Sequence, residues 1–297
     1  MPRPFQRLFA EPVFNRWVGP IVLVVVGFFL FTWSLGTWPD VLVDFGDELY
    51  VPWQLAQGKV LYRDIMHLKG PLSQYLNALW FWLFGASLLT LVVANMAVLA
   101  ALTWLLYTLL SKLSKPLPTV IACVVFLTLF AFGQLVGLGN CNFVCPYTHE
   151  VTHGLVLTLA AIGCLAAYHR RPRRLPLVGA GLSLGLAFLT DGPMFLAGAV
   201  AVLVNLFLTM WTERPAPSLA IGLLGTIVGS AIAPPLFALA LLSLAMPMAQ
   251  ALQGVLGTWW YIARGDVFSQ TYYQWFMGMD DLRGNLRAFL TWTGCYA

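Results

Sequence analysis

Charge is what this sequence has least of: Asp, Glu, Lys and Arg make up 9% of its 297 residues. A soluble domain carries roughly a quarter of its residues as charge, so the shortage excludes an ordinary water-soluble globule. Cysteine is sparse too. The five, Cys123, Cys141, Cys145, Cys164 and Cys295, include no CxxC pair. Cys141 and Cys145 flank a short loop, where a disulfide and two free, partly buried thiols are the alternatives, the free thiols preferred. No internal repeat or low-complexity linker interrupts the chain, which excludes a repeat array. The net charge of +4 argues nothing about nucleic acid, and no nucleic-acid partner is expected.

What the chain has instead is apolar surface: 60% of its residues are hydrophobic, with a mean hydropathy of +0.79. Apolar runs fall at 17–36, 76–110, 117–137, 151–167, 176–190, 193–211 and 219–245. Several reach or approach the ~20 residues that cross ~30 Å of hydrocarbon. They do not alternate apolar and polar residues as barrel strands do, so the expected fold is all-α, a polytopic transmembrane helix bundle of about seven spans. The first run is too long and bulky for a cleaved leader, and no small-x-small site follows it. Gly85-Ala86-Ser87 divides the second run into a short dipping helix, 76–84, and a span, 86–110.

Basic residues cluster before the first span (Arg3, Arg7, Arg16) and after later ones (Lys112, Lys115; Arg170, Arg171, Arg173, Arg174; Arg214). These all fall on one side, read as cytoplasmic, with only Glu11 and Glu213 among the acids. The expected setting is a bacterial plasma membrane, N-terminus inside. Segment 176–190 has fifteen residues, about 22 Å of helix, and meets 193–211 at Asp191-Gly192-Pro193. Two helices meeting at a recessed outer turn are preferred over one broken helix, because an unpaired Asp at the bilayer midplane is costly. Gly181-xxx-Gly185 and Gly225-xxx-Gly229 read as close-packing contacts. Residues 1–245 form the transmembrane module, and 246–297 an aromatic-rich outer segment. The stretch from Leu286 to Ala297 resembles the approach to a further span, so a C-terminal portion is expected to be missing.

Against this background the stretch DFGDELY, Asp44 to Tyr50, is unusual. The outer loop 38–70 that contains it holds five acids and three bases. A solvated loop needs charge, which is the plain reading. The sharper reading notes that the acids gather at the mouth of the first span, where partial desolvation tunes a carboxylate into a base. Arg63 and Lys69 follow, and Lys69 enters Gly70-Pro71-Leu72 at the start of the dipping helix. A base followed by cations at the membrane surface suits transfer chemistry with an anionic lipid leaving group.

The pattern D-x-x-D-E-x-Y, then Lys69-Gly70-Pro71-Leu72-Ser73-Gln74-Tyr75, Asn77-Ala78-Leu79 and Leu83-Phe84-Gly85, resembles the GT-C membrane glycosyltransferases. It is most similar to their aminoarabinose-transferase and protein O-mannosyltransferase branch. Leu184 to Thr190 followed by Gly192-Pro193 resembles that family's L-G-x-x-x-L-T-K-G-P stretch. The resemblance covers roughly 17–245 and is specific in 44–85. Gly70 stands where K-P-P-L has proline, and Asp191 stands where T-K-G-P has lysine. The family implies a polyprenyl-phosphate-linked sugar as donor, a glycan, lipid or protein hydroxyl as acceptor, and transfer on the outer face. Carried over, Asp44 is the base, with Glu48 second and Asp47 orienting or solvated; Lys69 and, more weakly, Arg63 contact the donor phosphate.

His149-Glu150-Val151-Thr152-His153 is HExxH, which on a helix sets two zinc ligands on one face. A metalloprotease is the competing enzyme class, disfavoured because no third ligand follows at a recognised spacing. The other readings of His149, Glu150 and His153 are a polar helix cap and a supporting group in the transferase site. The latter includes holding a divalent metal; no other cofactor is expected. Trp259-Trp260-Tyr261 and Tyr272 to Phe276 read as interfacial anchors or sugar-stacking groups. His67 and His169 receive no ligand role. A lipid-glycan transporter or assembly subunit would carry charges within several spans, and these spans have almost none.

Overall fold

The computed structural model describes residues 17–37, 45–133, 142–214, 216–265, 270–276 and 278–296. Among these, the regular structure is entirely helical. In chain order the helices are α1 (Val18–Ser34), α2 (Phe45–Ala56), α3 (Leu72–Phe84), α4 (Leu88–Leu110) and α5 (Pro116–Val125, continued by a π-helix, Phe126–Ala131). Then come α6 (His149–Arg170), α7 (Arg174–Phe188), α8 (Gly192–Glu213), α9 (Pro217–Ser243), α10 (Met248–Leu256), α11 (Thr258–Arg264), α12 (Thr271–Phe276) and α13 (Leu282–Tyr296). Four of them, α4, α6, α8 and α9, are long and apolar enough to cross a membrane, while α1, α5 with its π-turn, and α7 are apolar but shorter. Large apolar side chains cover their outer faces. Phe28, Trp104, Phe207, Trp211 and Phe237 are 61–70% exposed, an arrangement that lipid tolerates and water penalises.

The dipping helix and the following span separate where the glycine pattern predicts. Gly85 takes φ 87°, in the left-handed region that favours glycine, and the Ser87 hydroxyl accepts the Thr90 N–H to cap α4.

Side-chain pairings give the helix directions. The Thr158 hydroxyl donates to the Met194 carbonyl and His169 meets Asn205, so α6 and α8 run parallel. A Cβ on Gly181 would meet Ile227 and Ser230, and one on Gly185 would meet Ala231 and Pro234, so α7 and α9 run parallel to each other. Residues 189–191 form a turn between two separate helices, not a break in one. The bundle therefore has two ends. One gathers the ends of α1, α7 and α9 with the starts of α3, α4 and α6; the other holds Lys112, Lys115, Arg170, Arg171, Arg173, Arg174 and Arg214.

The Gly181/Gly185 contact is as close as its spacing predicts. A Cβ on Gly185 would lie 2.2 Å from the Ala231 carbonyl oxygen. Gly225 and Gly229 differ, since a Cβ there meets nothing within 4 Å. The face that α9 turns to α7 carries Ile227, Ser230 and Ala231, and the two glycines lie off it.

Candidate functional site

The first end of the bundle buries a polar cluster drawn from four parts of the sequence. In α2 the inward positions are Phe45, Glu48, Val51, Pro52 and Leu55, and this helical spacing carries Glu48 into the protein. Glu48 is 4% exposed, and Gln74, His149 and Glu150 are fully buried. The His149 Nδ1–H donates to Glu48 Oε2 at 2.5 Å. Its Nε2 lies 3.0 Å from Asn95 Nδ2, which also donates to the Val144 carbonyl at 2.9 Å. A carbonyl only accepts, so that bond orients the Asn95 amide and leaves the His149 proton on Nδ1.

Gln74 joins this arm to a second one. Its amide nitrogen donates to Glu48 Oε2 at 3.3 Å and to Glu150 Oε1 at 2.9 Å. Glu150 also accepts from His67 Nε2 at 3.2 Å and from the Thr148 hydroxyl at 2.5 Å, and Lys69 Nζ stands 3.7 Å from its Oε2. Lys69 Nζ donates to Thr148 Oγ1 as well. Two buried carboxylates are costly unless paired and hydrogen-bonded. Here each is held by three or more donors, and the Lys69 side chain is 29% exposed toward the surface.

The Lys69 backbone is fixed from several directions. The Tyr62 hydroxyl donates to its carbonyl at 2.6 Å. The N–H groups of Gly70 and Leu72 donate to the carbonyls of Thr190 and Leu189 at 3.2 and 3.0 Å. A Cβ at residue 70 would lie 2.2 Å from the Leu189 carbonyl oxygen. Proline there, as in K-P-P-L, would add that atom and remove the N–H; the close approach accounts for glycine. Asp191, in the same turn, is 8% exposed. Burial above all raises its pKa, with Glu150 adding to the rise and Lys69 opposing it. The position that carries lysine in T-K-G-P thus holds an acid within the field of Lys69.

Of the sequence-predicted residues, Glu48, Lys69, His149, Glu150 and His153 come together. Asp47 is exposed, about 100° around α2 from the buried Glu48. Asp44, the first choice for base, lies outside the described residues, as does Cys141. Cys145 is a free, buried thiol. Arg63 stands apart from the cluster, with its guanidinium held by Asp64 at 2.8 and 2.9 Å and by the Ala245 carbonyl at 3.2 Å. His169 meets Asn205 and the Tyr168 ring at the opposite end.

The HExxH residues do not fit a zinc centre. Both ring nitrogens of His149 are engaged, and His153 Nδ1 meets the Ser73 hydroxyl at 3.0 Å. Among the described residues, no three His, Cys, Asp or Glu side chains are placed to hold a metal.

Sequence reasoning missed Gln74, Asn95, Thr148 and His67. A signal existed for two of them. Ser73, Gln74 and Asn77 are three polar residues on one stretch of an apolar helix, and Asn95 is a lone amide in a span. Gln74 Oε1 and both polar atoms of Asn77 are buried without a hydrogen-bond partner, an acceptor and donor capacity that a native protein rarely leaves unused.

Two cavities flank the 60–72 segment that carries Lys69. An apolar one of about 420 Å³ runs from Pro71, Leu72 and Tyr75 along Leu186, Phe237 and Leu241, on α7 and α9. A polar one of about 320 Å³ lies between the 62–67 loop and α10. Trp259 packs edge-on against Phe195, their ring centres 6.3 Å apart, and Tyr261 lines the polar cavity. Comparison with family models, with curated proteins and with solved structures finds no match.

Proposed function

We propose that this chain is the membrane part of a glycosyltransferase. It moves a sugar from a polyprenyl-phosphate donor to a hydroxyl on the outer face of the membrane. The observation that supports this best is the convergence of Glu48, Lys69, His149 and Glu150 at one end of the bundle, with an apolar groove whose lining includes Pro71, two residues after Lys69. An anionic lipid suits that arrangement, with its chain along Leu186 and Phe237 and its phosphate at the Lys69 ammonium. The GT-C resemblance of residues 44–85 points the same way. The three shorter apolar helices complete seven spans in this reading, and the basic end faces the cytoplasm.

In the reaction, a carboxylate removes the acceptor's O–H proton, the oxygen bonds to the anomeric carbon, and the bond from that carbon to the phosphate oxygen breaks. The leaving lipid phosphate takes the electron pair, and Lys69 stabilises its charge. Oε2 of Glu48 is occupied by N–H donors, so we assign the proton to Asp44, which precedes α2, and make Glu48 the residue that holds His149 and Gln74. Glu150 keeps Lys69 in place. General-base transfer of this kind contributes about 10²–10⁴-fold.

The test uses the protein in liposomes with polyprenyl-phosphate monosaccharides and a membrane extract as acceptor source, reading release of polyprenyl phosphate. Asp44→Asn should lower release by about 10²-fold or more while donor binding persists. If no donor releases polyprenyl phosphate, the reading fails. If Asp44→Asn is silent and Glu48→Gln is not, the base is Glu48.

A further inference from the structure

The polar cavity differs from the apolar groove in what it can hold. It is lined by Tyr62, Arg63, His67, Gln250, Gln253 and Tyr261, with Asp64 and Met66 at its side. Its volume of about 320 Å³ is at the small end of ligand sites. Its one guanidinium, Arg63, is already committed to Asp64 and to the Ala245 carbonyl. The pair cancels its own charge, so the cavity offers no free cation for a phosphate among these lining residues. What it offers is the Gln253 amide and the Tyr261 hydroxyl, joined by one long hydrogen bond of 3.4 Å, the Gln250 amide oxygen, a carboxylate edge and two aromatic faces. Amides donate to and accept from neighbouring hydroxyls, a carboxylate accepts from them, and aromatic faces pack against C–H surfaces. That combination suits a neutral polyol.

Position ties the cavity to the cluster. His67 lines it and reaches Glu150 Oε1 at 3.2 Å. Tyr62 lines it and donates to the Lys69 carbonyl at 2.6 Å. Its far wall is built to fit: a Cβ on Gly254 would lie 2.4 Å from the Tyr62 ring, so only glycine lets α10 close against the loop. The Gln250 amide fastens α10 to the Tyr62 carbonyl at 2.6 Å.

We propose that this cavity seats the acceptor, through a neutral sugar ring held by Gln253 and Tyr261 next to the Lys69–Glu150 pair. The word acceptor rests on the transferase reading; the binding of a neutral saccharide does not.

Met66 is 81% exposed at the cavity edge and reports occupancy. Met66→Cys, made with Cys141, Cys164 and Cys295 replaced by serine, is labelled with an impermeant maleimide in the presence of maltose, chitobiose or mannobiose, or of undecaprenyl phosphate. No donor is present, so a protein without transferase activity still reports on the cavity. At least one disaccharide should slow labelling, and undecaprenyl phosphate should not. Gln253→Leu and Tyr261→Phe should each weaken saccharide protection by about tenfold, the worth of a hydrogen bond, with the unliganded labelling rate unchanged as the check on folding. Protection by undecaprenyl phosphate alone, no protection by any disaccharide, or protection indifferent to both substitutions overturns the assignment.

Discussion

The two arms of the buried cluster have similar chemistry and opposite surroundings. The arm of Glu48, His149 and Asn95 is closed, with each member at most 4% exposed and bonded to the others. The arm of Glu150, Lys69 and Thr148 is open at one end, where a cation reaches the surface. A closed arm fixes geometry, because an unpaired group inside it has no water to turn to. An open arm can exchange its partner for a ligand. Gln74, bonded to both carboxylates, makes the first the support of the second.

Substitutions can separate the two. His149→Leu strips Glu48 of its 2.5 Å donor and leaves Asn95 with the Val144 carbonyl as its remaining acceptor. Stability should fall by about 3–5 kcal/mol, as when one member of a buried pair is removed, read as a large drop in melting temperature in detergent. Lys69→Ala should act on the chemistry instead, lowering polyprenyl-phosphate release by about 10²–10³-fold with weaker donor binding and a smaller loss of stability. If the two variants lose stability equally, both arms are structural and the distinction fails. Gly70→Ala tests what holds the open arm. Its Cβ must displace the Leu189 carbonyl from 2.2 Å, at a cost of about 1–3 kcal/mol, and turnover should fall with stability.

The smallest effect is expected at Asp64, on the surface beyond both arms. The hydrogen bond from Arg63 above all, with the Val60 N–H, lowers its pKa from 3.8 to about 2. A depressed carboxylate contributes stability that is complete above its unfolded value and is lost as pH falls through the folded one. Asp64→Asn should therefore flatten the melting profile between about pH 4 and pH 2 and change little at neutrality, since the pair is solvent-exposed. An unchanged acid limb would remove the Arg63–Asp64 pair as an anchor of the polar cavity.

The closed arm was harder to read in the sequence than the open one. Lys69 and the acids of the first loop are conspicuous in a chain this poor in charge. The helical period of α2 separates Glu48 from Asp47, although the stretch DFGDELY presents them side by side. HExxH set His149, Glu150 and His153 apart as a group but suggested a metal. What engages the second ring nitrogen of His149 is Asn95, a partner 54 residues away that spacing along α6 does not reveal. The return of α10 to the 62–67 loop is equally hidden, because it depends on Gly254 meeting Tyr62. The turn at Asp191 was legible, since a midplane acid is costly and Gly-Pro restarts a helix. The second glycine pair on α9 misled, because small-residue spacing shows where helices can approach and not which neighbour does.

The docking of Gly70 and Leu72 on the carbonyls of Thr190 and Leu189 also bears on how the protein is made. A ribosome delivers α3 to the bilayer well before α7, so the Lys69 strip waits with its N–H groups unpaired until the later hairpin is inserted. Glu150 arrives in between, which orders the assembly as counter-ion first and backbone clasp last. A nascent chain arrested before residue 189 should therefore hold α1 to α6 in place yet leave the 60–72 segment open to protease, and release of the arrest should close it.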